Sequence, residues 1–305
     1  MKIKRNFRTK LVSKLFREHQ NFLGGCGKNR GGPGPGFAEF ECSSLDGCAI
    51  HGWTFTGQAR RHGTLIYLHG IGSSCVALDA AKRITDICLE HPGLSACAVD
   101  LRCHGRSGDY LPTLGIAETW DVSAVIQCLK EHDFPRPFIV MGDSMGGMVA
   151  TASAMFLSDV AASISIMPPA SPLVGIQEVP RLVRSQIIPA INAFYRQDSY
   201  RMLIGPDASE NILLHGDLTY HECKPSHQPR LLYVMGDHDP FDYLKTKLVW
   251  DHIYSSQSAR FDVNRSDAPD QNKWFRVAQG YGHDLSQWPE LSGIVHDFLS
   301  RELHG

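Results

Sequence analysis

The run Met141-Gly142-Asp143-Ser144-Met145-Gly146-Gly147 sets one serine between glycines. A serine hydroxyl is a weak nucleophile unless a base takes its proton. The Gly-x-Ser-x-Gly spacing suits a sharp strand-to-helix turn, in which side chains on either side of the serine would clash and the serine backbone is strained. Such a turn lifts the hydroxyl clear of the sheet. It also aims the backbone N–H of Met145 at the same space, at a helix N-terminus that favours developing negative charge. The apolar run Phe138–Met141 before the turn and the helix-forming run Met148–Phe156 after it supply that setting.

A base and an acid are expected downstream, each after its own strand. Asp237-His238-Asp239-Pro240 follows the apolar run Leu231–Gly236, and Gly280-Tyr281-Gly282-His283-Asp284 follows the next one. His283 is therefore read as the base and Asp239 as the carboxylate that orients it, with Asp237 and Asp242 as rivals for the second role. Upstream, His69-Gly70-Ile71-Gly72 follows the run Leu65–Tyr67. A glycine-rich turn there can offer a backbone N–H, most naturally that of Ile71, to an oxyanion shared with Met145. Gly70 and Gly72 support that loop, and His69 is read as structural.

The elements that must position these groups alternate along the chain. Phe37–Ser43 and Ala49–Phe55 read as an opening antiparallel pair around Leu45-Asp46-Gly47. Residues 64–69, 96–100, 138–142, 162–167, 231–236 and 274–279 are short apolar runs of the buried-strand kind. Helical patterns lie near 75–90, 116–131, 145–157 and 241–253, and a last one begins after Pro289. This alternation predicts the α/β class, with a mostly parallel eight-stranded sheet flanked by helices. Residues 168–229 are too long for an ordinary crossover and read as a small lid-like insertion, with a helix around 178–197.

Hydrophobic residues make up 43% and charged residues 20%, enough apolar material for one large domain. The net charge of −2 argues against a nucleic-acid partner. It hides an asymmetry, because residues 1–36 carry nine Lys or Arg and one acid, Glu18. Residues 5–20 fit a basic amphipathic helix, and 24–36 read as a Gly/Pro-rich linker to a body spanning 37–303. The helix suits peripheral contact with an anionic membrane, an organellar transit peptide, or a solvated extension. The nine cysteines contain no Cys-x-x-Cys pair and read as reduced thiols, so a cytoplasmic location is expected. No run is long and apolar enough for a membrane span. His215, His221, Cys223 and His227 cluster in sequence but match no zinc spacing, so neither metal nor organic cofactor is expected.

The segments His69–Gly72, Asp100-Leu101-Arg102-Cys103-His104-Gly105-Arg106-Ser107-Gly108, Gly142–Gly147, Gly236–Asp239 and Gly282-His283 together resemble the α/β-hydrolase superfamily. The similarity is to its esterase, monoacylglycerol-lipase-like or serine-aminopeptidase-like branch, and it covers about residues 37–303. In that pattern the fourth position of the Asp100 segment is usually glycine, and here it is Cys103. The resemblance implies a serine hydrolase with the triad Ser144, Asp239 and His283, acting on a small-molecule ester, lipid esters included. Amide, thioester or C–C bond hydrolysis and acyl transfer stay open on the same triad, as does a ligand-binding receptor on the same fold.

Overall fold

A computed structural model describes residues 10, 13, 14, 17, 35–57, 62–110, 112–113, 117–169, 229–239 and 273–304. The expected helices at 178–197 and 241–253, nearly all of the 168–229 insertion and most of the 24–36 linker lie outside the described residues. So do Asp242 and the cluster from His215 to His227.

Eight strands form one sheet: β1 (Phe37–Ser43), β2 (Ala49–Phe55), β3 (Thr64–Leu68), β4 (Ser95–Val99), β5 (Phe138–Asp143), β6 (Val160–Ile166), β7 (Arg230–Gly236) and β8 (Lys273–Ala278). Their order is β1-β2-β4-β3-β5-β6-β7-β8. β2 is antiparallel to both its neighbours, β1 and β4, and from β4 onward every pairing is parallel. The expected opening hairpin forms, with Gly47 at φ +86° and its N–H bonded to the Ser44 carbonyl at 2.8 Å.

Strands β3, β4 and β5 are buried along nearly their whole length, because helices cover both faces of the sheet. The described helices are α1 (Leu78–Glu90), α2 (Ala117–Glu131), α3 (Met145–Phe156) and α4 (Leu291–His304). One core layer packs α2 and α3 residues such as Val125, Leu129, Met148 and Ala152 against Ile66, Val99 and Val140. The other packs α1 and α4 residues, among them Ile84, Val295 and Phe298, against Leu65, Ala98 and Ile139. Alternate strand residues feed opposite layers, as the two-residue period of a strand demands. None of the described helices is long and apolar enough to cross a membrane.

Residues 10, 13, 14 and 17 of the N-terminal stretch are helical. Their placement differs from an amphipathic helix with a solvated basic flank. Lys10 and Lys14 are exposed, but Arg17 is buried. Its guanidinium donates to the carbonyls of Gly105 (2.7 Å) and Ser107 (2.5 Å) and pairs with Asp109. One turn earlier, the Ser13 carbonyl accepts the Cys103 thiol at 3.1 Å. The loop after β4 offers enough converging carbonyls to satisfy the planar fork of Arg17, which outweighs the cost of burying the cation.

Candidate active site

Strand β5 delivers the chain into the elbow, and α3 carries it away. Ser144 stands between them at φ 51° and ψ −117°, a region that costs a non-glycine residue roughly 1–3 kcal/mol. Two close approaches hold that conformation. A Cβ on Gly142 would lie 2.2 Å from the Gly146 carbonyl carbon, and one on Gly146 would lie 2.2 Å from the Leu68 carbonyl oxygen. Only glycine fits at either place. The Ser144 N–H donates to the Ile166 carbonyl at 2.8 Å, which fastens the elbow to β6.

The acid and base loops come from β7 and β8, which pair in parallel, so their C-terminal ends lie side by side. Backbone bonds zip the loops together: Asp237 N–H donates to Ala278 (3.3 Å) and His238 N–H to Tyr281 (3.0 Å). This brings together the residues singled out by spacing. His283 Nε2 lies 2.9 Å from Ser144 Oγ, and His283 Nδ1 lies 3.2 and 3.1 Å from the two Asp239 oxygens. The partners assign the tautomer, with Nδ1–H donating to the carboxylate and Nε2 left to accept the serine proton. The Asp239 side chain is fully buried, whereas that of His283 is 27% exposed.

Of the rivals for the acid role, Asp237 is accounted for elsewhere. Its Oδ1 accepts the Gly280 N–H at 2.7 Å and caps the turn after β8.

The loop from His69 to Gly72 runs beside the elbow, so close that a Cβ on Gly70 would be 3.3 Å from Ser144 Cβ. Met145 is the first residue of α3, where backbone N–H groups have no acceptor within the helix. His69 is buried and serves as a brace. Its Nε2 accepts the Leu101 N–H at 3.1 Å, so Nδ1 carries the proton and donates to the Gly70 carbonyl at 2.7 Å. His104 repeats the device, accepting the Gly72 N–H at 3.4 Å and donating to the Arg102 carbonyl at 2.9 Å. Burial lowers the pKa of both imidazoles, that of His104 to about 3, and holds the pair neutral.

Two features of the site carry no sequence signal of their own, and a third is marked only by a departure from the family pattern. Asp143 accepts the Tyr67 hydroxyl and pairs with Arg83 of α1, one residue before the nucleophile. Asp284, one residue after His283, is held below the usual carboxylate range by the Ser286 N–H and hydroxyl, and Arg83 adds to the effect. Arg83 thus bridges the elbow and the histidine loop electrostatically. Third, Cys103 adopts φ +63°, the conformation that glycine would take there, and its side chain is fully buried. Asp100 lies at the centre of that loop. Burial alone would raise its pKa, but His51, His69 and the N–H groups of Arg106 and Cys75 more than offset this and keep it ionised.

The sequence alone matches no curated protein significantly. Solved structures are similar in fold. An esterase of Pyrococcus furiosus, Pf2001, is 20% identical over 88% of this chain and 93% of its own, with a TM-score of 0.63. The α/β hydrolase GrgF from a Penicillium species is 17% identical over 88% and 99%, with a TM-score of 0.60. A serine hydrolase without a lid from Xanthomonas campestris, XC6422, is 16% identical over 90% and 99%, with a TM-score of 0.56. The model of the alpha/beta hydrolase family matches residues 65–292, from β3 into α4. With the strand order and both covered faces, that match shows that this chain belongs to the alpha/beta hydrolase family and is a hydrolase.

Proposed function

We propose that the chain is a serine hydrolase that cleaves carboxylic esters through an acyl-enzyme. The observation that carries this is the unbroken line of contacts from Asp239 through His283 to Ser144 Oγ, at 3.1 and 2.9 Å. Ser144 Oγ bonds to the ester carbonyl carbon while its proton passes to His283 Nε2. The charge on the former carbonyl oxygen is held by the N–H groups of Ile71 and Met145, and Asp239 stabilises the imidazolium. As the tetrahedral species collapses, the C–O bond to the alcohol breaks and Nε2 returns the proton to the leaving oxygen. Water, deprotonated by the same nitrogen, then attacks the acyl carbon, the bond from that carbon to Ser144 Oγ breaks, and Nε2 returns the proton to Oγ as the acid leaves. The chain's own groups account for each proton.

The esterase among the structural relatives supports an ester as the substrate class. In the test, a fluorophosphonate probe labels the wild-type chain, and Ser144→Ala abolishes both labelling and hydrolysis of p-nitrophenyl esters. A mutant that still labels at the wild-type rate refutes the assignment.

A further inference from the structure

The end of α1 farthest from the oxyanion loop carries a group of side chains with no part in the chemistry above. Glu90 is the last residue of α1 and His91 its C-cap. His296 faces them from the second turn of α4, 205 positions later in the chain. One potential ligand atom from each of the three lies within 4.8 Å of the other two. His296 Nδ1 is 3.6 Å from Glu90 Oε2, and the two imidazoles stack with centroids 4.6 Å apart at 30°.

We infer that Glu90, His91 and His296 form a binding site for a divalent transition-metal ion of the Zn2+ class. Two imidazoles and a carboxylate are the donor set such ions take when water fills the remaining position. Nitrogen ligands sit about 2.0–2.1 Å from zinc, so two donors on one tetrahedral ion are roughly 3.4 Å apart. The Glu90–His296 pair, at 3.6 Å, is already near that spacing, and all three ligand atoms lie within 4.8 Å of one another. Stacked rings point their lone pairs side by side, so the His296 ring must swing for both nitrogens to meet one ion. It has room to do so: the side chains of His296 and Glu90 are each 43% exposed, which also gives the ion an entry path. The fixed member is His91, which is 7% exposed.

One further contact fits a ligand. His296 Nε2 lies 3.5 Å from Ser300 Oγ, one turn along α4, leaving Nδ1 as the nitrogen turned toward Glu90. A metal-bound histidine characteristically donates its other N–H to such a partner, which fixes ring and tautomer. The thirteen residues of α1 separate this place from the oxyanion loop by about 20 Å along the helix axis. An ion here would join α1 to α4 across the helical layer and so add to stability. The inference is independent of the triad.

The experiment uses the full chain stripped with EDTA and titrated with Co2+, read by its visible d–d bands, and with Zn2+ against a chromophoric chelator. The expected result is a site of one ion per chain that raises the melting temperature. His296→Ala should weaken binding by about 100-fold or more and abolish the thermal shift. Ser300→Ala should weaken it by about 10-fold. Circular dichroism of the metal-free variants checks that they are folded, which the partial exposure of both positions favours. The inference is overturned if the wild-type chain takes up no ion. It is equally overturned if His296→Ala binds with unchanged stoichiometry and affinity, since the ion then sits on other histidines or thiols.

Discussion

Replacing Asp239 by Asn removes one charge and leaves the shape of the side chain almost intact. In the folded protein both carboxylate oxygens face His283 Nδ1, at 3.2 and 3.1 Å, and the side chain is out of solvent. An amide presents one oxygen and one NH2 group. When the NH2 faces the ring, the proton must sit on Nε2, and that nitrogen can no longer accept from Ser144. When the oxygen faces the ring, the tautomer survives, but the imidazolium formed during attack has lost its counter-charge. Both outcomes raise the barrier. For the Ser-His-Asp template this substitution costs about 10⁴ in turnover, roughly 5 kcal/mol. We expect kcat for a p-nitrophenyl ester to fall about 10³–10⁴-fold with KM little changed, and fluorophosphonate labelling to slow in parallel. Asp237→Asn is the internal control. Its carboxylate caps a turn through Gly280, so activity should stay within about threefold of wild type. If Asp239→Asn keeps more than a tenth of the activity, or Asp237→Asn loses as much, the assignment of the acid is refuted.

Other consequences are as direct. Gly146→Ala sets a methyl 2.2 Å from the Leu68 carbonyl oxygen, so α3 must withdraw from β3. Urea unfolding should show about 2–4 kcal/mol of lost stability together with lost activity, and a variant as stable as wild type contradicts the close approach. Arg83→Met leaves Asp143 and Asp284 without their shared cation. Turnover should drop by about tenfold at low ionic strength, with the wild-type difference narrowing as salt is added, and a salt-independent effect counts against the electrostatic bridge. The neutral His104 makes folding sensitive to acid. Its folded pKa of about 3 lies below the unfolded value, so its contribution is complete above about pH 6.5 and is lost as pH falls from there toward 3. By pH 5 that loss reaches up to about 2 kcal/mol. His104→Gln should flatten the stability curve between pH 7 and 5, and an unchanged slope places the titration elsewhere.

The sequence made the local frame legible because strands and turns announce themselves locally. The opening hairpin and all six apolar runs read as strands pair in the sheet, with ends within two residues of expectation, since a buried parallel strand needs an uninterrupted apolar stretch. Ser144, His283 and Asp239 could be picked out because each follows a strand end, and parallel strands bring those ends to one edge. Contacts between side chains far apart in the chain left no such trace. Arg17 docks on a loop 88 residues away, Arg83 meets Asp143, and His91 stacks on His296, and none of these follows any period. The conformation of Cys103 was legible only through the family pattern, which usually has glycine there, because cysteine itself does not advertise a positive φ.

The outward order of β5, β6, β7 and β8 also sets a sequence of events in time. The serine's turn is made early, while its two partners hang on strands that can only be laid down after β6 has an open edge to receive them. On a ribosome, the elbow can form around β3 and β5 long before residue 283 emerges, and it waits there without a base. The Ser144–His283 contact closes 139 positions of chain, so it is among the last long-range pairings to form. On the proposed mechanism, turnover would therefore report completion: a nascent or truncated chain lacking β8 also lacks the histidine loop and is expected to stay silent.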